Sequence, residues 1–355
     1  MAIPTEPIGS IPRPRLLLDG MKQFKANRIS EGELHALQNA AVQDTVEQFE
    51  ATGSPVITDG EQTKPSFATY PIDKLKNLDP DGIVIPFADG HTRQLPRLIS
   101  GPFEYQTHAV TYLRAAKRYA QVGVKQAVIA PSALSLLYPP EGINHYPREG
   151  FIEDLVKESE TDIRECLASG AHSVQIDFTE GRLSMKLDPS GKTLRSFIDL
   201  NNAVLRRFSE SDRKRIGVHT CPGSDWESTH SLDVDYDDLL PSLFELEAGI
   251  FYIQLASEHD RQRVLNIIRR FAPVDRRIFV GVTDPIDPKV ETPEEIRDRV
   301  LEAAEIIDPD RLGTCDDCGF SPFGDDTSTS REVAFAKIRA RVEGTKLAEA
   351  ALGLT

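Results

Sequence analysis

Short, nearly continuous apolar runs recur along the chain, separated by longer stretches in which apolar residues return every three or four positions. The runs are "PVITDG" (55–60), "RLISGPF" (97–103), "KQAVIAP" (125–131), "HSVQIDF" (172–178), "RIGVHTC" (215–221), "GIFYIQL" (249–255), "RIFVGV" (277–282) and "RLGTCDDCG" (311–319). Continuous rather than alternating apolar character is what a parallel strand covered on both faces requires. Between the runs, "SEHDRQRVLNIIRRF" and "TPEEIRDRVLEAAEII" carry the spacing of amphipathic helices, and the second opens on Thr292, Pro293 and Glu294, a capped start. About eight alternations of strand and helix predict a (β/α)8 TIM barrel rather than a doubly wound open sheet. We expect one barrel domain over 1–355, with 1–54 as a lead-in and helix that cap or line the barrel and 55–355 as the barrel itself.

Composition narrows the partners. The 355 residues carry a net charge of −15, which disfavours a nucleic-acid backbone or an anionic membrane surface and leaves a small molecule as the expected partner. No glycine-rich phosphate loop follows any strand, and no stretch approaches the roughly 20 apolar residues of a spanning helix. A cytosolic protein is expected, with self-association into a homo-oligomer left open. In that reducing compartment the four cysteines, Cys166, Cys221, Cys315 and Cys318, are to be judged by burial or chemistry rather than paired. Cys166 lies in a helix-like stretch and is expected in the core.

Catalytic groups in barrels come from the carboxyl ends of strands. Here those ends bear Asp59-Gly60-Glu61, Gly101-Pro102, Asp177, His219 with Cys221, Gln254, Thr283-Asp284 and Cys318. His219 and Cys221, two apart on an extended end, point the same way. Cys318 ends the last strand, which barrel closure brings to the mouth across from them, so a three-donor zinc site is one reading. Two others stand beside it: an ordinary buried strand end, and a redox pair or zinc knuckle at Cys315-x-x-Cys318, which Gly319 and Pro322 just behind it disfavour.

"IGSIPRP", "DGEQTKPSF", "VQIDFTEGR", "GVHTCPG" and "DDCGF" occur in the order found in the cobalamin-independent methionine synthase superfamily. The chain resembles that enzyme's catalytic C-terminal barrel and its short single-domain relatives. The resemblance implies Zn2+ held by His219, Cys221 and Cys318. Gln254 stands where the family has a carboxylate ligand, and Gln254 or an open fourth position is expected ahead of Glu258 as the alternative donor. It further implies that Ile8, Gly9 and Ser10 hold the carboxylate of an amino-acid substrate and that Glu61 and Asp177, the catalytic acids, hold its ammonium. Two activities follow. The first is methyl transfer to homocysteine from methyltetrahydrofolate or another donor. The second is an epoxyalkane:coenzyme M transferase, in which a coenzyme M thiolate opens an epoxide and a cation holds the sulfonate. Arg182 is the first candidate for that cation, ahead of Arg13, Arg15, Lys64 and Arg148. A zinc-binding barrel without turnover is the non-catalytic alternative.

Overall fold

The computed structural model describes residues 2–354. Its barrel strands are β1 (Val56–Ile57), β2 (Gly123–Val124), β3 (Gln126–Ile129), β4 (Val174–Asp177), β5 (Ile216–Thr220), β6 (Ile250–Ile253), β7 (Arg277–Thr283) and β8 (Leu312–Asp316). β3 to β8 form one six-stranded parallel sheet in chain order. β2 runs into β3 through Lys125 and pairs in parallel with β1, Val56 opposite Gly123. β2 and β3 therefore occupy a single position in the ring, beside β1.

That leaves a gap between β8 and β1, and the N-terminal segment fills it. Thr5 forms a parallel bridge with Thr314, Glu6 N–H donates to the Thr314 carbonyl and Thr314 N–H to the Pro4 carbonyl, both at 2.9 Å. On the other side the Ile11 N–H donates to the Gly60 carbonyl at 3.0 Å and the Thr58 hydroxyl to the Gly9 carbonyl at 2.8 Å. Prolines at 4, 7, 12 and 14 hold this segment extended while removing donors that an interior strand would use. The barrel is as expected, but the lead-in is one of its staves.

The run 97–103 is not a stave. Arg97–Leu98 pairs antiparallel with Leu78–Asp79 in an excursion between β1 and β2, which also carries the hairpin Val84–Pro86/Thr92–Gln94. Its Leu98 and Phe103 are buried in the main core, Phe103 against the Phe151 ring of the helix Arg148–Ala168, and a hydrophobic run alone cannot distinguish such packing from a barrel strand.

Inside the ring, Ile8, Ile250, Tyr252, Phe279 and Cys315 pack together, and each large side chain so buried contributes ~1.5–3 kcal/mol. Below them Glu6 accepts from the Tyr252 hydroxyl at 2.6 Å, with Lys125 Nζ at 3.5 Å. Burial pushes the Glu6 carboxyl up, but His172, Lys125 and Tyr252 together hold it down at about 2, so it stays ionised. Helices pack outside the ring, two of them opened by capping boxes, Ser30 with Glu33 and Thr292 with Glu295. Among the described residues no helix is long and apolar enough to cross a membrane.

Candidate metal centre

β5 delivers His219 and, just past its end, Cys221; the loop after β8 delivers Cys318. One donor atom from each lies within 4.8 Å of the others, and all three side chains are buried. The two sulfurs are 3.1 Å apart, well beyond the ~2.05 Å of a disulfide. Burial raises the Cys221 thiol, while Cys221, His219 and Ser224 beside Cys318 lower the latter well below a free thiol. Both ring nitrogens of His219 lack a hydrogen-bond partner although the residue is only 2% exposed. Leaving such a group unmatched costs ~1–3 kcal/mol, and a cation among two sulfurs and an imidazole would satisfy all three. The donor set therefore fits zinc.

Cys315 does not join them. It sits in the barrel interior against Tyr252 and Phe279, which excludes the Cys315-x-x-Cys318 pair as a unit, and Cys166 lies in the main core. The Asp317 carboxylate accepts from the N–H groups of Leu255, Ala256 and Ser257 and from the Ser257 hydroxyl, each at 2.8 Å, tying the Cys318 loop to the end of β6.

A cavity opens on the triad. Ile8, Gly9, Ser10, Glu61, Asp177, His219 and Cys318 all line it, so most of the residues singled out in the sequence meet. The Ser10 hydroxyl oxygen accepts from the Ser321 N–H at 3.1 Å, and a Cβ on Gly319 would lie 2.1 Å from it, so only glycine admits this approach. Gly60 and Glu61 are both left-handed, φ 64° and 55°, an expensive conformation for Glu61. It is held by Lys64, whose Nζ reaches Glu61 Oε1 at 2.9 Å, and by Arg13, which donates to the Glu61 carbonyl at 2.8 Å. Burial raises Asp177 to about 6; His219 opposes the shift and the Glu61 carboxylate adds to it. A cationic group arriving between the two acids would relieve both.

Gln254, Arg182 and Glu258 depart from expectation. The Gln254 carboxamide oxygen accepts from Arg182 at 2.9 Å and the Tyr236 hydroxyl at 2.8 Å, and its nitrogen donates to Ser257 Oγ at 2.6 Å. With both lone pairs engaged it has none left for a metal. Arg182 makes five hydrogen bonds, to Gln254, Glu258 and the carbonyls of Leu232 and Val234, so its guanidinium is taken up inside the protein rather than offered to substrate. Glu258 is its ion-pair partner at 2.9 Å. Arg13 and Lys64 serve the Glu61 turn, Arg15 pairs with Asp19 at the surface, and Arg148 lies over the Tyr138 ring.

The excursion contributes residues that strand periodicity did not single out. Its hairpin brings Ile85, Phe87 and Arg93 over the cavity, Arg93 paired with Asp225 and Asp325. The Ala88 N–H donates to the Thr229 carbonyl at 2.9 Å, and His230 lines the cavity beside Gly223. The signal was Asp89-Gly90 between apolar positions, a hairpin cue.

Comparison with known proteins places the chain among known relatives. The family model described as "Cobalamin-independent synthase, Catalytic domain" matches residues 3–343. Methionine synthase of Saccharolobus islandicus is 24% identical over 348 residues, 97% of this chain and 94% of that protein. The methionine synthase of Sulfurisphaera tokodaii is 23% identical over 97% of this chain and 92% of its own length. The structure of a B12-independent methionine synthase from Shewanella sp. W3-18-1, in complex with selenomethionine, superposes over 100% of both chains with a TM-score of 0.78 at 21% identity, a likeness of fold.

Proposed function

The chain belongs to the family of cobalamin-independent synthase catalytic domains, and from that premise we propose that it transfers a methyl group to the thiol of homocysteine, giving methionine, with zinc as its metal. The observation that carries the reading is the buried His219, Cys221 and Cys318 cluster facing two carboxylates across one cavity. These three residues would hold the ion, with no fourth protein donor at Gln254. When bound, zinc supplies a Lewis acid that lowers the pKa of an arriving thiol well below the ~8.5 of a free one.

The remaining work falls to the chain. Asp177 and Glu61 bind the substrate ammonium, which supplies the positive charge that Asp177 lacks at its buried position. The Ser10 hydroxyl, whose oxygen already accepts from Ser321, is free to donate its proton to the substrate carboxylate, beside the backbone of Ile8 and Gly9. Together these contacts fix the amino acid by its head and aim its thiol at the triad, an orientation effect. The hairpin residues Ile85 and Phe87 close the mouth over the methyl donor and exclude water. Arg182, the first cation considered for a sulfonate, is fully engaged, which weighs against coenzyme M as the thiol.

The test is to supply purified protein with homocysteine and methyltetrahydrofolate and to measure methionine together with bound metal. We expect about one zinc per chain and methionine formation that Cys221→Ser abolishes. Thioether formation from coenzyme M and epoxypropane, without methionine from homocysteine, would overturn the assignment.

A further inference from the structure

Gln175 lies two residues before Asp177 on β4, so both side chains point into the barrel, that of Gln175 one layer below. It is fully buried and forms no part of the cavity lining. Its Nε2 donates to the Ile8 carbonyl at 3.1 Å and to Asp177 Oδ1 at 2.7 Å. Each amide proton thus has its own acceptor. Going round the ring from the N-terminal stave to β4 passes β1 and then β2 with β3, so the bond to Ile8 crosses the interior rather than joining neighbours. The sheet makes room for that reach, because the register sets Gln175 between two small residues, Ala127 on β3 and Gly217 on β5. A Cβ on Gly217 would lie 2.5 Å from the Tyr252 ring. The oxygen of the same amide is unmatched: Gln175 Oε1 is buried and has no partner. Next to the apolar cluster of Ile8, Ile250, Tyr252, Phe279 and Cys315, a methionine would fill the place without that orphan, so the amide calls for a task.

We propose that Gln175 is a positioning residue that fixes the carboxylate subsite at Ile8 to Ser10 relative to the ammonium subsite at Asp177, and so makes the cavity select thiols that carry both charged groups. The inference rests on reading the cavity as an amino-acid site. Gln175 touches no substrate and acts through the two groups it holds. Its bond to Oδ1 leaves Asp177 Oδ2 without a protein partner among the described residues, so the oxygen offered to an ammonium is always the same one. Its bond to Ile8 joins two others on that segment, from the Thr58 hydroxyl to the Gly9 carbonyl at 2.8 Å and from the Ser321 N–H to Ser10 Oγ at 3.1 Å. Those two anchor the segment to the end of β1 and to the loop after β8. Gln175 alone of the three also holds the acid. With both subsites hung on one planar amide, their separation follows its geometry; without the amide each moves with its own strand.

The experiment is calorimetric binding of three thiols to the zinc-loaded protein, for the wild type, Gln175→Met and Gln175→Asn. The thiols are homocysteine, desamino-homocysteine, which lacks the ammonium, and homocysteamine, which lacks the carboxylate. The wild type should prefer homocysteine to either analogue by at least about tenfold. Gln175→Met keeps the length and loses both donors, and should bring the three thiols within about threefold of one another. Gln175→Asn, one methylene shorter, can reach only one acceptor at a time and should fall between. In turnover, KM for homocysteine should rise by about tenfold in Gln175→Met with a smaller change in kcat, while bound zinc and KM for the methyl donor stay as they are. A strut that merely closed the barrel would lower the melting temperature and leave the preference among thiols untouched. If Gln175→Met fails to fold, Gln175→Asn decides alone. A wild type that does not distinguish the thiols, or a preference unchanged in the folded variants, overturns the proposal. Methionine formation with an unaltered KM for homocysteine in Gln175→Met would sink this inference and leave the function standing. A preference that depends on Gln175, without methionine formation, would do the reverse.

Discussion

Two polar clusters lie side by side at the barrel mouth and differ in how far their hydrogen-bonding capacity is met. In the first, His219 has two bare ring nitrogens and the sulfurs of Cys221 and Cys318 face each other at 3.1 Å. In the second, Arg182 has an acceptor for each of its five N–H groups, and Gln254, Tyr236, Ser257 and Asp317 form a continuous chain of bonds. Both clusters are buried, both sit at strand ends, and both hold residues that family resemblance marks as chemical. Only the first has anything left to offer a ligand. Residue type and position bring a side chain to the mouth, but unmet capacity distinguishes a binding group from a scaffold group.

The sharpest way to break this contrast is Cys318→Ser, which should weaken metal binding by roughly 100-fold or more while leaving the fold intact; metal analysis after dialysis and far-UV circular dichroism read the two effects separately. Arg182→Met should do the opposite. It strands Glu258 and two carbonyls, and should cost on the order of 3–5 kcal/mol in urea unfolding with metal content unchanged. Equal loss of metal in that variant would merge the clusters into one. Gln254→Glu probes the border: with its oxygens held by Arg182 and Tyr236, metal affinity should stay within about threefold, and a larger gain would make residue 254 a ligand after all. Smallest is Glu227→Gly, at a two-residue hairpin turn where Trp226 and Glu227 are both left-handed, φ 47° and 61°. Relief there should add about 0.5–1 kcal/mol without touching either cluster.

Much of this was legible beforehand because β3 to β8 are continuous apolar runs, which parallel burial imposes directly. The stave at 3–11 was not, since prolines and polar residues give it no strand pattern; what makes it a stave is the vacancy between β8 and β1, a property of the closed ring. The run 97–103 misled for the complementary reason, being apolar because the excursion packs against the core. His219, Cys221, Cys318, Glu61 and Asp177 could be anticipated from position and resemblance, and they share one cavity. Gln254 and Arg182 could not be resolved, because no sequence pattern states which of two adjacent polar groups will satisfy the other. Arg93 came from an insertion whose hairpin was visible but whose direction over the mouth was not, and His230 from the loop after β5.

The N-terminal stave also sets a timetable. Ser10, which lines the cavity, is bonded to Ser321, 311 residues later. At typical synthesis rates of ~5–20 residues per second, the nascent chain must hold its first stave unpaired for roughly 15 to 60 s before the partner emerges. Neither ring nor site can exist on a shorter nascent chain, so a ribosome that stalls before β8 releases no partly active product, only an open sheet with two exposed edges for chaperones to guard.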